Sequence, residues 1–343
     1  MKRFNLTPEE KAAKIARHIH PDFPAIVGID VLRGRCNLRC RMCPMFNVRF
    51  DSVQWMEETT FTRILEEVSD RNTSIELSAM GEPLLHPRIR SLIRILGSRC
   101  RDNHTLLVTN GHYLDHEMIR LILDAGIQDI QISLNAYGEK NYQWLTGSSH
   151  YDRVVENIRN LVRMKEAFGN GRPRITTHIA GIREFQDDFV PFLEQWAPLV
   201  ENARIREIKD WSGLTRNNGL HPLVADEIHC ERYPCAWLWE CMEFHPSGAA
   251  YACSFHSFFN TPPLGNILEE SVNELWHGPS LDHIREEHIQ GRAGEVDFCA
   301  RCYNWYLYPN FWEKSGRAGK RSWRLPASEE KVDGQDLMRT GTQ

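Results

Sequence analysis

The sequence predicts an α/β fold in which a partial (β/α)6 barrel, similar to an incomplete TIM barrel, precedes a small C-terminal domain. Three observations support this prediction. Short β-rich runs alternate six times with helix-like segments over roughly the first 210 residues. Such alternation implies a parallel sheet with right-handed crossovers, and six repeats are too few for a closed eight-stranded barrel. Beyond residue 230 the chain becomes rich in cysteine, glycine and aromatic residues.

The predicted strands consist mainly of Ile, Leu, Val and Thr and are bounded by polar turns. They cover residues 26–31, 74–78, 105–109, 129–134, 175–179 and 204–208. The predicted helices carry apolar residues at helical spacing and cover residues 57–70, 89–96, 115–124, 152–167 and 185–196. Ahead of the first strand, Thr7 followed by Glu9 and Glu10 predicts a short amphipathic helix.

The chain of 343 residues is long enough for a barrel-sized domain and a smaller one. We expect a helical N-terminal extension over 1–24, the barrel over 25–215, the small domain over 216–302 and a C-terminal tail over 303–343. The polar stretch 212–219 is typical of a linker, and the last fifteen or so residues are typical of a disordered end.

The composition excludes several classes of protein. A formal net charge of −5 argues against nucleic-acid binding. No apolar run approaches the roughly 20 residues of a membrane helix, and the N-terminus lacks the apolar core of a signal peptide. We therefore expect a cytoplasmic protein with no nucleic-acid or membrane partner. Clustered cysteines in that reducing compartment are more often metal ligands than disulfides.

Cys36, Cys40 and Cys43, here called the first cysteine group, follow the first predicted strand directly. Three thiolates at this spacing can bind three irons of an iron–sulfur cubane and leave the fourth iron open to a ligand. The alternatives are a zinc site, which would need a fourth ligand from elsewhere in the chain, or reduced cysteines without a metal. The position after a strand favours the cluster, because α/β barrels place their active sites at strand ends.

The Cys-x3-Cys-x2-Cys pattern resembles the signature of the radical S-adenosylmethionine (SAM) superfamily. That resemblance implies a [4Fe–4S] cluster whose open iron binds SAM, and cleavage of SAM to a 5′-deoxyadenosyl radical that abstracts hydrogen from a substrate. The segment 78–83 resembles the family's GGEP element, with Met80 in place of the first glycine. By this resemblance, Gly81, Glu82 and Pro83 bind the methionyl end of SAM, and Asn110, Ser133 and Asn135 make further SAM contacts.

A second cysteine group consists of Cys235, Cys253, Cys299 and Cys302. The first two flank a predicted hairpin that turns at residues 247–248, and the last two form a Cys-x2-Cys pair. Four thiolates suffice for a fully ligated cluster, although a zinc knuckle has the same spacing. The segment 235–302 resembles the auxiliary-cluster module of the SPASM and twitch subfamilies. With no cysteine after Cys302, the resemblance implies one auxiliary [4Fe–4S] cluster, the twitch form.

Two further residues are candidates for catalysis. Cys241, like Cys230, is left over from the second group; it could exchange with a neighbouring ligand, donate a hydrogen atom to a substrate radical, or be a small buried hydrophobe. His178 lies at the end of the fifth predicted strand, where it should point toward the barrel mouth, and could be a general base or a buried core histidine. Lys209, Asp210 and Trp211 follow the sixth strand and are candidate substrate contacts.

The subfamily resemblance implies a reaction class. Relatives oxidise an aminocyclitol hydroxyl in butirosin biosynthesis, epimerise sugar carbons or dehydrate diols in antibiotic pathways. We therefore expect a radical SAM enzyme that acts on a carbohydrate, aminocyclitol or nucleoside and takes electrons from a flavodoxin- or ferredoxin-type reductant. The alternatives are a peptide-modifying SPASM maturase and a non-enzymatic zinc-binding scaffold. Only about 25 residues precede the first strand, fewer than a peptide-binding module needs, which favours a small-molecule substrate.

Overall fold

The fold was analysed in a computed structural model that describes residues 7–48, 50–209, 211, 214–223, 230–259, 261–307, 312–315 and 322–325. Its strands are β1 (Ile26–Arg33), β2 (Gln54–Trp55), β3 (Ser74–Met80), β4 (Thr105–Thr109), β5 (Asp129–Asn135), β6 (Arg174–Gly181), β7 (Asn202–Glu207), β8 (Cys241–Phe244), β9 (Ala249–Tyr251), β10 (Gly265–Asn266), β11 (Glu313–Ser315) and β12 (Ser322–Arg324).

The helices lie mostly between these strands, as the alternation predicts. They are α1 (Pro8–His18), α2 (Glu58–Val68), α3 (Ile89–Arg99), α4 (His116–Ala125), α5 (Glu139–Thr146), α6 (Tyr151–Phe168), α7 (Phe189–Trp196), α8 (Leu214–Asn217), α9 (Ser254–Phe258), α10 (Val272–Trp276), α11 (Pro279–Ile289) and α12 (Asp297–Ala300). Among the described residues, none of the helices is both long and apolar enough to cross a membrane.

One sheet organises the molecule. Its strand order is β10-β9-β8-β1-β3-β4-β5-β6-β7, with β2 added antiparallel to β1. The six strands β1, β3, β4, β5, β6 and β7 are parallel neighbours, which confirms the predicted partial barrel of six βα units. The C-terminal hairpin of β8 and β9 extends the same sheet, because β8 pairs parallel with β1.

Strand β3 is apolar on one face and polar on the other. Ile75 and Leu77 are fully buried in the hydrophobic core, whereas the alternate residues Glu76 and Ser78 line an internal cavity. Alternate residues of a strand point to opposite faces, so β3 turns its polar residues to the cavity. Leu106 and Val108 of β4 also line it, so the barrel interior presents both polar and apolar side chains.

The structure differs from the predicted elements in three places. Helix α5 was not expected, because the polar residues of Glu139–Thr146 give only a weak apolar face. The predicted helix over 185–196 begins later, at Phe189, because Arg183–Asp188 forms a 3₁₀ turn. The predicted linker contains the short helix α8. Residues 210, 212 and 213 and the last eighteen residues of the tail lie outside the described chain.

The predicted N-terminal helix is present and begins with reciprocal capping. The Thr7 side chain accepts a hydrogen bond from the backbone N–H of Glu10, and the Glu10 carboxylate accepts one from the backbone N–H of Thr7. This capping box satisfies two of the unpaired N–H groups at the helix start. At its other end, His18 Nδ1 lies 3.1 Å from a carboxylate oxygen of Glu240, so α1 packs beside the start of β8.

Candidate active site

The first cysteine group lies in the loop that follows β1, and helix α5 holds this loop in place. The backbone N–H groups of Arg39 and Arg41 donate to the carbonyl oxygens of Thr146 and Leu145, at 2.9 and 2.8 Å. The Arg41 side chain donates from Nε to the carbonyl oxygen of Trp144 at 2.9 Å. These carbonyl groups belong to the last turn of α5, where they have no partner within the helix. The loop therefore takes its shape from tertiary contacts.

The three thiols of the first cysteine group are close enough to perturb one another. Burial raises the pKa of Cys36 to about 12 and that of Cys43 to about 11, and the neighbouring Cys43 raises the pKa of Cys36 further. The pKa of Cys40 is raised by burial and by both neighbours. A metal centre that takes these sulfurs as thiolates relieves this penalty, because ligation replaces the proton with a positive charge.

Glu82 lies in the loop after β3, where its buried carboxylate receives three hydrogen bonds from the protein. The Thr109 hydroxyl donates at 2.6 Å, and the backbone N–H groups of Asn110 and Leu84 donate at 2.8 and 3.2 Å. Burial nevertheless raises the pKa of Glu82 to about 7. This loop contains Gly81, Glu82 and Pro83, and the hydrogen bonds join it to the end of β4.

Gly81 allows the loops after β1 and β3 to touch. A Cβ atom at this position would lie 2.2 Å from the carbonyl oxygen of Arg35, next to Cys36. The same carbonyl oxygen accepts the backbone N–H of Glu82 at 3.0 Å. Any side chain at position 81 would push the two loops apart.

Asn110 connects the end of β4 to the first cysteine group. Its Nδ2 donates to Asn37 Oδ1 at 2.8 Å and lies 3.9 Å from Cys36 Sγ. Ser133 and Asn135 lie at the end of β5 and line the cavity. The register of β5 against β6 shifts between Ile132 and Asn135, and Asn135 has a left-handed φ of 66°. Four of the six parallel strands, β1, β3, β4 and β5, thus contribute residues from their ends or following loops to this site.

The second cysteine group is formed by residues at three short elements of the chain. Cys235 precedes a 3₁₀ turn, Cys253 caps α9, Cys299 lies in α12 and Cys302 follows it. Backbone N–H groups of His256 and Asn304 donate to the sulfurs of Cys253 and Cys302, each at 3.4 Å. Burial raises the pKa of all four thiols, and Cys235, Cys253 and Cys302 each raise the pKa of at least one other thiol in the group.

His288 of α11 joins two members of the second cysteine group. The backbone N–H of Cys235 donates to His288 Nδ1 at 3.2 Å, and His288 Nε2 lies 3.3 Å from Cys299 Sγ. The histidine is only 1% exposed. Because Nδ1 accepts a hydrogen bond, the neutral ring carries its proton on Nε2 and donates it to the sulfur. Sequence reasoning missed His288, since no motif marks a histidine eleven residues before its cysteine.

A cavity of about 600 Å³ runs through the barrel interior. Cys43 and Pro44 line it, and so do all four residues of the second cysteine group. This volume falls within the usual range for small-molecule sites. A ligand bound in this cavity can contact residues of both cysteine groups.

Acidic side chains line the inner face of the cavity. Asp30 of β1 is paired with Arg33 at 3.3 Å and accepts the backbone N–H of Met80 at 2.8 Å. Glu76 of β3 and Glu243 of β8 also line the cavity. Burial raises the pKa of Asp30 to about 6 and that of Glu243 to about 7, and it raises the pKa of Glu76. Sequence reasoning missed these residues, although a glutamate inside an otherwise apolar strand could have indicated an acidic side chain in the barrel interior.

Of the two predicted catalytic residues, the structure places His178 in the cavity and Cys241 outside it. His178 lies in the middle of β6, whose strand continues to Gly181, so it faces the barrel interior and not its mouth. Burial lowers its pKa well below the usual value, and Nδ1 has no hydrogen-bond partner in the described chain. Lys209 and Trp211 also line the cavity, and Asp210 lies outside the described residues.

Cys241, for which the sequence leaves ligand exchange, hydrogen-atom donation and a packing role open, lies outside the described lining of the cavity. It is buried at the start of β8 and pairs with Ile26, the first residue of β1. Cys36 follows the opposite end of β1. Its position therefore gives no support to a catalytic role and matches the alternative of a small buried hydrophobe.

Both cysteine groups offer the donor chemistry of iron–sulfur clusters. Within the described residues no three His, Cys, Asp or Glu side chains converge on a single metal-ion position. A [4Fe–4S] cluster spreads its cysteine ligands over separate irons. The first group has three thiols and the second has four, together with N–H donors to sulfur, and sulfur-directed hydrogen bonds are a usual feature of cluster sites.

Comparison with known protein families gives two matches. Residues 31–195 match the model of the radical SAM superfamily, and residues 235–303 match the SPASM iron–sulfur cluster-binding domain. The GTP 3′,8-cyclase of Peptoclostridium acidaminophilum is 30% identical over 285 residues, which are 78% of this chain and 73% of that protein. The two family matches include all seven cysteines of the first and second groups.

Two other relatives bear on the chemistry. The S-adenosyl-L-methionine-dependent 2-deoxy-scyllo-inosamine dehydrogenase of Niallia circulans is 18% identical over 283 residues, 82% of this chain and 93% of that protein. The tungsten-containing aldehyde ferredoxin oxidoreductase cofactor-modifying protein of Pyrococcus furiosus is 26% identical over 157 residues, 45% of this chain and 43% of that protein. The chain spans about half the length of several curated relatives that it matches.

Solved structures share the fold. BtrN in complex with AdoMet and 2-DOIA has a TM-score of 0.56 and 16% identity, covering 82% of this chain and 94% of that chain. SuiB of Streptococcus suis bound to precursor peptide SuiA has a TM-score of 0.56 and 16% identity, and the likeness covers 81% of this chain and 70% of that chain. Native anSMEcpe with bound AdoMet has a TM-score of 0.58 and 14% identity, covering 84% and 88%. At these identities the likeness establishes the fold alone.

Proposed function

Because the chain belongs to the radical SAM superfamily and carries an iron–sulfur SPASM domain, we propose that it removes hydrogen from a carbohydrate, aminocyclitol or nucleoside. The products would be those of dehydrogenation, epimerisation or diol dehydration. The observation that carries this proposal is the cavity of about 600 Å³, bordered by both cysteine groups and lined by polar side chains. Its size and polarity suit a small hydroxylated molecule.

In this proposal the two cysteine groups hold the cofactors. Cys36, Cys40 and Cys43 hold the [4Fe–4S] cluster that binds SAM, while Gly81, Glu82, Pro83, Asn110, Ser133 and Asn135 shape the SAM site. Cys235, Cys253, Cys299 and Cys302 hold one auxiliary [4Fe–4S] cluster. When bound, these cofactors supply a carbon-centred radical that takes a hydrogen atom and a centre that accepts one electron.

The protein residues would bind the substrate and move its proton. Dehydrogenation of an alcohol removes one hydrogen atom from carbon, one proton from the hydroxyl group and one electron. His178 lines the cavity, and its Nδ1 has no partner in the described chain. It could accept the hydroxyl proton, since burial holds the ring neutral. The relative named as an inosamine dehydrogenase supports this reaction class. A flavodoxin- or ferredoxin-type protein would supply the initial reducing electron.

A second candidate function is peptide modification. The likeness to SuiB, solved with its precursor peptide, favours it, as does 23% identity over 296 residues with the PqqA peptide cyclase of Granulibacter bethesdensis. A peptide substrate would have to place one side chain in the cavity while its backbone lay outside. The enclosed carboxylates and histidine fit a small polar molecule as well as they fit the tip of a side chain, so substrate trials should include both classes.

The proposal is tested by cofactor content and by SAM cleavage. Anaerobic reconstitution should give roughly eight irons per chain, falling to about four when Cys36, Cys40 and Cys43 are replaced with alanine. The reduced wild-type protein should release 5′-deoxyadenosine from SAM, and small hydroxylated substrates should accelerate that release. Zinc in place of iron and sulfide would refute the proposal. Acceleration by peptides alone would replace it with the second candidate.

A further inference from the structure

Two glutamates flank a glycine on the inner face of the barrel. Gly28 of β1 pairs in register with Glu76 of β3 on one side and with Glu243 of β8 on the other. Residues at the same level of parallel strands point to the same face, and both glutamates line the cavity. Their backbones lie two strand spacings apart, roughly 9–10 Å.

The missing side chain of Gly28 leaves room between these carboxylates. A Cβ atom on Gly28 would lie 3.1 Å from Glu243 Cγ, so even alanine would crowd that glutamate. The two strands that bring the glutamates to β1 come from different parts of the chain, one from the barrel and one from the SPASM segment. The pair is therefore a product of the tertiary fold.

Neither carboxylate is neutralised by a direct protein contact. Within the described chain Glu76 and Glu243 form no hydrogen bond or ion pair, unlike Asp30 beside them, which is held by Arg33. The nearby Lys209 donates from Nζ to Ser254 Oγ at 2.8 Å and lies 5.4 Å from the Trp211 ring. Arg206, which also lines the cavity, and Lys209 lower the pKa of Glu76, and Lys209 lowers that of Glu243, but burial outweighs these effects at both glutamates. Buried carboxylates without a partner carry a large desolvation cost.

His178 is an independent indication that the cavity receives a polar ligand. It is 2% exposed, lines the same cavity and has an Nδ1 atom without a hydrogen-bond partner in the described residues. Buried polar atoms in proteins nearly always have a partner. A ligand that carries both a cationic group and a hydroxyl group would satisfy the carboxylate pair and this nitrogen together.

We infer that Glu76 and Glu243 bind the ammonium group of the substrate, and that the substrate is an amino sugar or aminocyclitol. This inference rests on the proposed function and narrows its substrate class. An ammonium group has three N–H donors, enough to reach both carboxylates, and its single positive charge offsets one of the two negative charges. A neutral sugar offers hydrogen bonds but no positive charge. His178 Nδ1 accepts a hydrogen bond from a hydroxyl group of the same molecule.

The test is anaerobic calorimetry of the reconstituted protein with SAM, using matched amine and neutral probes. The amines are 2-deoxy-scyllo-inosamine and D-glucosamine, and the neutral counterparts are scyllo-inositol and N-acetyl-D-glucosamine. We expect at least one amine to bind about tenfold or more tightly than its counterpart. Glu76→Gln and Glu243→Gln should each weaken amine binding about tenfold or more, the scale of one charged hydrogen bond. Glu117→Gln, on the exposed surface of α4, is the matched control.

Three results would overturn the inference: neutral probes that bind as tightly as the amines, amine affinity unchanged in both glutamine variants, or no binding by either amine. Circular dichroism and iron content of each variant exclude misfolding as the cause of lost affinity. Release of 5′-deoxyadenosine by the wild-type preparation separates this inference from the proposed function. If SAM is cleaved but amines do not bind, only the inference fails; if SAM is not cleaved, the proposed function fails.

Discussion

The imidazole of His288 lies between the backbone of Cys235 and the sulfur of Cys299. Its Nδ1 is 3.2 Å from the Cys235 backbone nitrogen, and its Nε2 is 3.3 Å from Cys299 Sγ. One ring thus contacts two residues of the second cysteine group and directs a single N–H at sulfur. Hydrogen bonds to cluster sulfurs are among the factors that set reduction potential. The arrangement links a residue outside the cysteine motif to the redox behaviour of the auxiliary cluster.

We expect His288→Phe to lower the reduction potential of the auxiliary cluster. Loss of the N–H donor removes stabilisation from the more negative, reduced state. The measurement is a redox titration followed by electron paramagnetic resonance, in a background where Cys36, Cys40 and Cys43 are alanine. His288→Gln, which keeps an N–H group, should recover part of the shift. His283→Asn, exposed on the same helix, should not change the potential. Equal potentials in wild type and His288→Phe would refute the prediction.

Replacing Glu82 should weaken SAM binding. Its carboxylate is fixed by the Thr109 hydroxyl at 2.6 Å and by the Asn110 N–H at 2.8 Å. Glu82→Gln removes the charge that would pair with the ammonium group of SAM and should weaken SAM binding by about 10- to 100-fold, the scale of a charged hydrogen bond. Equilibrium dialysis with the reconstituted protein measures this. Thr109→Val keeps the charge and should cost less affinity. A Glu82→Gln protein with wild-type affinity would show that SAM does not use this carboxylate.

Glu243 should make the protein less stable as pH rises. Burial raises its pKa to about 7, whereas Lys209 and Arg33 oppose that rise and Asp30 and Glu76 add to it. The folded protein therefore binds more protons than the unfolded chain between about pH 4.5 and 7, so this contribution to stability is lost across that window. Glu243→Gln should stabilise the protein at pH 8 by up to about 3 kcal/mol and by little below pH 5.

Thermal unfolding of the ligand-free holoprotein between pH 5 and 8 measures this effect. The difference in unfolding temperature between Glu243→Gln and wild type should grow with pH. The exposed variant Glu117→Gln should give no such trend. A Glu243→Gln protein that is less stable than wild type at pH 8 would mean that the carboxylate has a stabilising partner in solution.

Gly81→Ala should loosen the first cysteine group. The added methyl carbon would lie 2.2 Å from the Arg35 carbonyl oxygen. That oxygen belongs to the backbone, so it cannot rotate away as the end of a flexible side chain could. We expect a loss of about 1–3 kcal/mol in stability, typical of overpacking, and lower iron occupancy of the first group. Iron analysis and thermal unfolding measure the two effects. Gly294→Ala, where a Cβ meets no atom within 4 Å, is the control. Unchanged iron content in Gly81→Ala would contradict the prediction.

Much of the fold was predictable because its signals are local. The run of residues 105–109 matches β4 at both ends, since Leu and Val there are bounded by polar turns. Helix α4 was recognisable from its apolar face, its Asp115 cap and the glycine that follows it. Helix α5 gave no such signal, because it is half polar and is stabilised by packing and by the cysteine loop it contacts. The formation of α5 therefore depends on tertiary contacts, which the local sequence pattern does not indicate.

The cysteines were predictable, and the residues around them were not. Cysteine spacing is a property of the sequence, so the amino-acid order alone identifies both groups. The carboxylate pair of Glu76 and Glu243 depends on the pairing of β1 with two strands distant in the chain. The contact of His288 with Cys299 depends on how α11 packs. The sequence identified His178 but predicted it at the barrel mouth. Its strand continues for three more residues, so His178 lies in the barrel interior.

The pairing of β1 with β8 has a consequence for how the chain folds. Strand β1 is complete after residue 33, but β8, which pairs with residues 26–29 of β1, begins only at residue 241. Until more than two hundred further residues have been synthesised, β1 presents an unpaired edge, and such edges promote association with other chains. A fragment that ends before β8 should therefore aggregate even though it holds all six parallel strands. The sheet of the barrel is thus completed by a strand that lies more than two hundred residues after β1 in the chain.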